Sequence, residues 1–229
     1  VLGSREWEAL ADRCDSTFWR WRAQMARASL LFAQGRLGAA EELATSGSAL
    51  VASLHPELAV RVVTGLVLSM RHDQGRMDEV SGLGRLNLGA LSVVAMIDRG
   101  EHAEARRLLA EIAASAATMS PDELIWLCLH SLVAVAAEGL DDTELCRRVA
   151  DALDPYRDQI VMWGRSSVFG MPVSEAVGVA RRGAGQPEAA AEAFRHALAW
   201  ADRVGAVGFG ARARVGLASV LPADDPRRV

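Results

Sequence analysis

Apolar residues recur at helical spacing along most of the chain, and the helical stretches are repeatedly interrupted by glycine. Four of these glycines, Gly35, Gly75, Gly100 and Gly185, each follow one apolar stretch and precede a second helical stretch that starts two or three residues later. A helix, a glycine turn and a second helix, repeated along a chain, are typical of helical-repeat proteins. We therefore expect an all-α fold of antiparallel helical hairpins, stacked in chain order as a solenoid.

Apolar period and capping residues predict ten or eleven helices. Their expected spans are 5–14, 16–33, 37–53, 57–71, 102–117, 120–138, 142–153, 168–182, 187–204 and 206–220. In the second span, Trp19, Ala23, Ala26 and Leu30 recur on one face, which predicts that this face is buried. The segment Ser120-Pro121-Asp122-Glu123 has the order of a capping box and predicts the start of a helix.

Two segments depart from the helical pattern. Only 25 residues separate Gly75 from Gly100, against 40 between Gly35 and Gly75, so one helix there is expected to be truncated or a loop to be missing. Around Pro155 the chain becomes irregular, with a short extended piece expected at 159–162. We expect a single helical-repeat domain over 1–229, with sub-blocks 1–85 and 86–221 and a tail at 222–229.

The composition excludes several classes of function. The chain contains no lysine, so it has no P-loop lysine and no Schiff-base lysine. Such a bias indicates a GC-rich bacterial genome, as in actinobacteria. The net charge of −4 argues against direct contact with nucleic acid. The arginine pairs have acidic neighbours and are expected on solvated helix faces: Arg106-Arg107, Arg147-Arg148 and Arg181-Arg182.

Three cysteines without disulfide spacing suit a reducing cytoplasm. The longest apolar stretch without a charge, 124–137, is too short to span a bilayer, so no membrane association is expected. Because the chain begins at Val1 and not at methionine, we expect it to be part of a longer protein.

The glycine-turn units resemble tetratricopeptide repeats, most clearly over 185–198, where small residues at Ala190 and Ala197 flank Phe194. The stretch 153–221 is similar to the C-terminal helical array of large bacterial ATP-binding LuxR-type transcription regulators, relatives of the maltose regulator, and of ATPase-fused cyclases. This resemblance rests on Asp154-Pro155-Tyr156, Trp163-Gly164, Gly170-Met171-Pro172 and Arg203-Val204-Gly205-Ala206. It implies that the region binds an inducer or a protein partner in signal transduction and relays that event to an ATPase.

Catalytic and metal-binding patterns are missing from the sequence, so no catalytic residue, metal ligand or cofactor is expected, and the region is not predicted to be an enzyme. Cys128 and His130 are two residues apart, on different sides of a helix, and Cys128 and Cys146 are expected to be core thiols. Glu192 and His196 are one helical turn apart, which predicts a solvent-facing ion pair.

The tryptophans are the sequence feature that suggests a ligand site. Trp126, His130, Trp163 and Arg165 are the candidate ligand-binding residues, on the face lined by the first helix of each pair, because aromatic and guanidinium groups on a concave surface can hold a ligand. Trp19 and Trp21 cannot both face inward on one helix. The leading hypothesis is a non-catalytic sensor or interaction module that binds a small inducer or a protein. The alternatives are a structural scaffold that dimerises as a homo-oligomer and a helical enzyme with an apolar pocket.

Overall fold

Helices make up most of the residues that the structure, a computed structural model, describes: 4–52, 56–76, 89–163, 168–222 and 225. The helices are α1 (Ser4–Arg13), α2 (Thr17–Ala33), α3 (Leu37–Val51), α4 (Pro56–Asp73), α5 (Ala90–Asp98), α6 (His102–Ala116), α7 (Trp126–Gly139), α8 (Thr143–Leu153), α9 (Val173–Gly183), α10 (Pro187–Val204) and α11 (Val207–Val220). A 3-10 turn (Asp154–Tyr156) and a two-stranded antiparallel hairpin, β1 (Ile160–Trp163) and β2 (Val168–Pro172), separate α8 from α9.

The same tight glycine turn ends helices α2, α4, α5 and α9. In the α2–α3 turn, the Gly35 amide bonds the carbonyl three residues back and the next amide bonds the carbonyl five residues back, both at 2.9 Å. The turns at Gly75, Gly100 and Gly185 repeat this pattern, with φ between 64° and 77°. Such left-handed backbone favours glycine at the C-terminus of a helix. Asp141, at φ 57°, occupies the equivalent position between α7 and α8.

Each helix contacts the next one in the chain, and alternate helices also meet. Helix α5 packs on α7, α7 on α9 and α9 on α11, so these four form a continuous layer. Helices α6 and α8 both contact α7 but have almost no direct contact with each other. Helix α2 contacts α4, α11 and β2, which brings the N-terminal helices against the C-terminal ones.

Two large apolar clusters form the core. The first is built mainly by α5–α9 and includes Val133, Leu153 and Val177. The second joins α2, α3 and α4 to β2, α10 and α11, and includes Trp21 and Phe209. The second cluster therefore combines residues from both sides of the expected boundary at 85/86.

A partly buried ionic cluster, with Glu175 as its buried member, ties four helices together within this arrangement. The Arg212 guanidinium on α11 lies 2.8 Å from the Glu175 carboxylate on α9 and 2.9 Å from the Asp73 carboxylate on α4. It also stacks over the Phe209 ring at 4.7 Å and the Phe32 ring of α2 at 5.7 Å. Burial lowers the pKa of Arg212, but the two carboxylates outweigh it and raise this pKa above its usual value. Burial raises the pKa of Glu175 against the opposing effect of Arg212.

The predicted buried face of the second helix is right for Ala23 and Ala26, which are buried, and wrong for Trp19 and Leu30, which are 46% and 38% exposed. Trp21, Met25 and Phe32 supply the large buried side chains of this helix, and burial of such side chains contributes most to its packing free energy. The prediction that Trp19 and Trp21 face different environments is confirmed.

Two local predictions near the hairpin and the capping box need correction. The capping-box contact forms, since the Ser120 amide donates to the Glu123 carboxylate at 3.0 Å, but it closes a turn and the helix begins only at Trp126. The predicted helix from residue 168 is wrong over its first five residues, which form β2 and pair with β1. The fold is thus mostly helical but not purely so. The irregular segment between Gly75 and Gly100 falls largely on 77–88, outside the described residues.

Candidate functional site

A cleft of about 1040 Å³ opens between α6 and α8, with α7 as its floor. The two walls stay apart because α6 and α8 barely touch, whereas both pack on α7. Its volume is at the upper end of the range for small-molecule sites. The lining is dominated by small and apolar side chains and comprises Arg106, Leu109, Ala110, Ala113, Ala114, Ala116, Ala117, Met119, Pro121, Trp126, His130, Val133, Leu140, Asp141, Asp142, Thr143, Leu145, Arg148, Val149 and Ala152.

Two contacts fix how the three helices run. An Nη1 atom of Arg106, near the start of α6, donates to the carbonyl of Leu140 just after the end of α7, at 3.2 Å. The ring of Trp126, at the start of α7, lies 5.2 Å from that of Tyr156, just after the end of α8. Helix α7 is therefore antiparallel to both of its neighbours, and α6 runs parallel to α8.

The cleft is amphipathic along its length because of this parallel arrangement. Arg106 lies in the second turn of α6 and Arg148 at the middle of α8, so both lie nearer to Asp141 and Asp142, at one end of the cleft, than to Trp126. The other end, about 21 Å away along α7 at 1.5 Å per residue, is formed by apolar groups: Met119, Pro121, Trp126, Ala117 and Ala152.

Trp126 and His130 form a stacked pair on the floor of the cleft. Their ring centroids are 4.0 Å apart with an interplanar angle of 26°. The His130 Nδ1 atom lies 2.9 Å from the Trp126 carbonyl and donates to it. Burial lowers the pKa of His130, although that carbonyl contact opposes the shift. The ring is therefore neutral near pH 7, with its Nε2 atom as an acceptor.

The arginine pairs of α6 and α8 are each divided between two surfaces. Arg107 pairs with Glu104 and Glu111, and Arg147 with Glu144, on the outer faces of the helices. Their neighbours Arg106 and Arg148 line the cleft, and no described carboxylate lies within ion-pair distance of either. All four of these arginines are exposed, as expected of solvated helix faces, and Arg106 and Arg148 also line the cleft.

The two carboxylates at the charged end differ in what they do. Asp142 caps α8, because its carboxylate accepts from the Leu145 amide at 3.0 Å, as the sequence predicts. Asp141 is exposed and supplies the left-handed residue of the α7–α8 turn. Arg148 lies about 9 Å beyond Asp142 along the axis of α8, so the attraction between them is largely screened in salt solution.

Among the predicted ligand-binding residues, the structure brings together Trp126 and His130 but not Trp163. Trp163 lies on β1, between the two core clusters and outside the cleft lining, with its buried indole N–H lacking a partner among the described residues. Arg165 lies outside the described residues. The cleft also differs from the expected location, because its walls are the second helices of their pairs and not the first.

The structure also bears on the predicted ion pair, the cysteines, metal binding and membrane spans. Glu192 and His196 do not pair with each other: Glu192 binds Arg157 at 3.0 Å and His196 binds Asp158 at 2.9 Å, so that prediction is wrong. Cys146 is buried, as predicted for a core thiol, whereas Cys128 is only partly buried, and burial raises the pKa of both thiols to about 12. Within the described residues, no group of three or more His, Cys, Asp or Glu side chains could hold a metal ion. No described helix has the length and apolar character needed to cross a bilayer.

Comparison with protein-family models, curated proteins and solved structures finds no match to this chain. Its chemistry must therefore be derived from the cleft itself. The lining offers an apolar surface, the neutral His130 ring, two guanidinium groups and, at the α7–α8 turn, the two carboxylates and the Thr143 hydroxyl, a combination suited to holding a ligand by shape and charge. Sequence reasoning found the aromatic pair but missed Arg106 and Arg148.

Proposed function

We propose that this chain is a non-catalytic sensor module of a bacterial signalling or transcription regulator in the cytoplasm, and that the cleft between α6 and α8 is its ligand site. The observation that carries the proposal is the separation of two helices over a large, mainly apolar cleft with a stacked Trp126–His130 floor. A ligand seated there touches both walls, which otherwise barely contact each other. It would act by favouring one separation of α6 and α8 over another.

The proposal includes a tetratricopeptide-like stacking of the helix pairs. The repeated turn geometry at Gly35, Gly100, Asp141 and Gly185 supports it, as do the contacts between alternate helices from α5 to α11. In such arrays a change in the spacing of one pair is transmitted to its neighbours, because each unit contacts mainly the adjacent units. The resemblance to LuxR-type regulators adds the expectation that an ATPase receives this signal.

A pair of tryptophan variants on α6 tests the ligand site. Ala110 is exposed and lines the cleft, whereas Ser115 is exposed on the same helix, one turn from Glu111 of the outer face, and does not line it. Ala110→Trp should fill the cleft without disturbing the core, and Ser115→Trp is the matched control. We expect at least one member of a library of metabolites and amphiphilic acids to raise the Tm of the wild type and the control, but not of Ala110→Trp, since a site-specific ligand stabilises by mass action.

Two results would overturn this function. The first is a library in which no compound stabilises the wild-type chain. The second is stabilisation of Ala110→Trp to the same extent as Ser115→Trp, since binding would then lie elsewhere on the molecule. Circular dichroism of both variants establishes that they are folded.

A scaffold that dimerises is the second candidate, and one observation favours it. Val207 and Val215, on the last helix, are 67% and 70% exposed, and large exposed apolar side chains are common at protein interfaces. Val215→Asp should then reduce self-association in sedimentation velocity. If the wild-type chain stays monomeric over the accessible concentration range, the hypothesis of a dimerising scaffold is wrong.

A further inference from the structure

The charged end of the cleft carries information about the kind of ligand it holds. We infer that the cleft takes an amphiphile with a single carboxylate head group and an apolar tail, the head held by Arg148 and Arg106 and the tail running towards Trp126. This inference rests on the proposed function, because it names the ligand class for the same site.

Two guanidinium groups at one end of the cleft favour an anionic head group. Arg106 donates one hydrogen bond to the Leu140 carbonyl, and Arg148 has no carboxylate partner among the described residues. Their neighbours Arg107 and Arg147 take the acidic side chains at helical spacing on the outer surface. The cleft arginines therefore keep donors for a ligand carboxylate, which a planar guanidinium can bind through two parallel bonds.

The acidic residues at this end do not neutralise Arg148. Asp142 already accepts a hydrogen bond as the cap of α8, and it lies about 9 Å from Arg148 along the helix axis. Asp141 is exposed in the turn, on the side of Leu140 and Arg106. Arg148 also helps to lower the pKa of Glu144, but the hydrogen bonds of that carboxylate are with Arg147. We therefore assign Arg148 the main contact with the head group.

The opposite end of the cleft accepts no second charge. Its surface consists of alanine, Met119, Pro121 and the Trp126 ring. His130, the one titratable group on the floor there, is kept neutral by burial, which outweighs the opposing effect of the Trp126 carbonyl on its pKa. A dicarboxylate would place its second charge against this apolar surface at a desolvation cost, whereas a hydrocarbon tail gains from burial there.

Three amphiphiles that differ only in head group test the inference on the full chain. Decanoate, decylammonium and decanol are titrated by isothermal calorimetry, each below the concentration at which it forms micelles. We expect decanoate to bind at least tenfold more tightly than the other two. Arg148→Gln should weaken decanoate binding about tenfold or more, because it removes a charge-assisted hydrogen bond. Arg107→Gln, on the outer face of α6, is the matched control and should leave binding unchanged, because the carboxylates that it releases, Glu104 and Glu111, are not at helical pairing distance from Arg106. Arg106→Gln serves as a second variant of the head-group end.

The outcomes separate this inference from the function on which it rests. If the three amphiphiles bind equally well and Ala110→Trp abolishes the binding of all three, the cleft is a ligand site but the carboxylate assignment is wrong. The same conclusion follows if Arg148→Gln and Arg106→Gln bind decanoate as the wild type does. If none of the amphiphiles binds while a member of the metabolite library stabilises the chain and is blocked by Ala110→Trp, the ligand class is wrong and the sensor function stands. If nothing binds at all, both fail.

Discussion

The contact between the α2–α3 turn and the start of α11 leaves no space for a side chain at Gly208. A Cβ atom there would lie 2.7 Å from the Gly35 amide nitrogen and 2.9 Å from both the Ala33 carbonyl oxygen and the Gly35 Cα atom. All three are backbone atoms, so a rotamer change cannot relieve the overlap, and α2 and α11 must move apart. The expected loss in the free energy of unfolding from this overlap is about 2–3 kcal/mol, the upper part of the usual range for overpacked sites.

Alanine at this position also has a favourable effect, because it is a better helix former than glycine by at most about 1 kcal/mol. The net expectation for Gly208→Ala is a loss of about 1–2 kcal/mol in the free energy of unfolding, by subtracting the propensity gain from the overlap cost. For a chain of this size that corresponds to a Tm lower by about 2–8 °C. Differential scanning calorimetry and urea denaturation both measure the change.

Gly65 provides the matched control. It lies inside α4, where an added Cβ atom would meet only a Leu91 methyl group at 3.9 Å, an ordinary contact. Gly65→Ala should therefore raise the free energy of unfolding by about 0.5–1 kcal/mol through helix propensity alone. If Gly208→Ala proves as stable as the wild type, or gains as much as Gly65→Ala, then α2 and α11 are not in backbone contact and the reasoning is refuted.

Three further predictions concern the ionic cluster, one titration and the thiols. Arg212→Met should cost about 3–5 kcal/mol in urea denaturation, because it leaves the Glu175 carboxylate buried without its cation; the double variant with Glu175→Gln should recover part of this loss, and an unchanged double variant would contradict the pairing. The free energy of unfolding should decrease as the pH falls below about 6.5, since the unfolded His130 takes up a proton at its ordinary pKa while the folded one has a lowered pKa; His130→Gln should weaken this pH dependence, and an identical slope would refute it. A thiol reagent at pH 8 should modify Cys14 in the native chain, and Cys128 and Cys146 only after unfolding, because the pKa of each of the latter is raised to about 12; three reactive thiols in the folded state would contradict their burial.

Much of the helical fold could be predicted from local pattern. Helix α10 has the predicted bounds, and its Ala190, Phe194 and Ala201 are buried as its apolar period indicates. The start of α9 was predictable too, although the helix was placed too early: Pro172 lies inside the predicted span, and a proline inside a helical pattern indicates a boundary. The pairing of β1 with β2 was not, because a short apolar run has no local feature that distinguishes a strand from a buried helix.

The candidate site was predictable only in part, since its two arginines are brought to the cleft by the packing of α6 and α8 on α7. Trp126 and His130 are four residues apart, so their stacking follows from helical spacing. Arg106 has no acidic residue three or four positions away, which could have indicated that it is not paired within its helix. For Arg148 the sequence does not indicate whether the side chain is paired. Glu144 and Asp151 are within helical reach of both Arg147 and Arg148, and in the structure they pair with Arg147.

The second core cluster has a consequence for how the molecule comes apart. In an open repeat array, units at either end can fray independently, because each is held only by its nearest neighbour. Here the side chains of α2, such as Trp21 and Phe32, share a cluster with Phe209 of α11. Loss of either helix would expose apolar side chains of the other to water, so both should unfold in one cooperative step. Deleting α11 should therefore destabilise helices more than a hundred residues earlier in the chain.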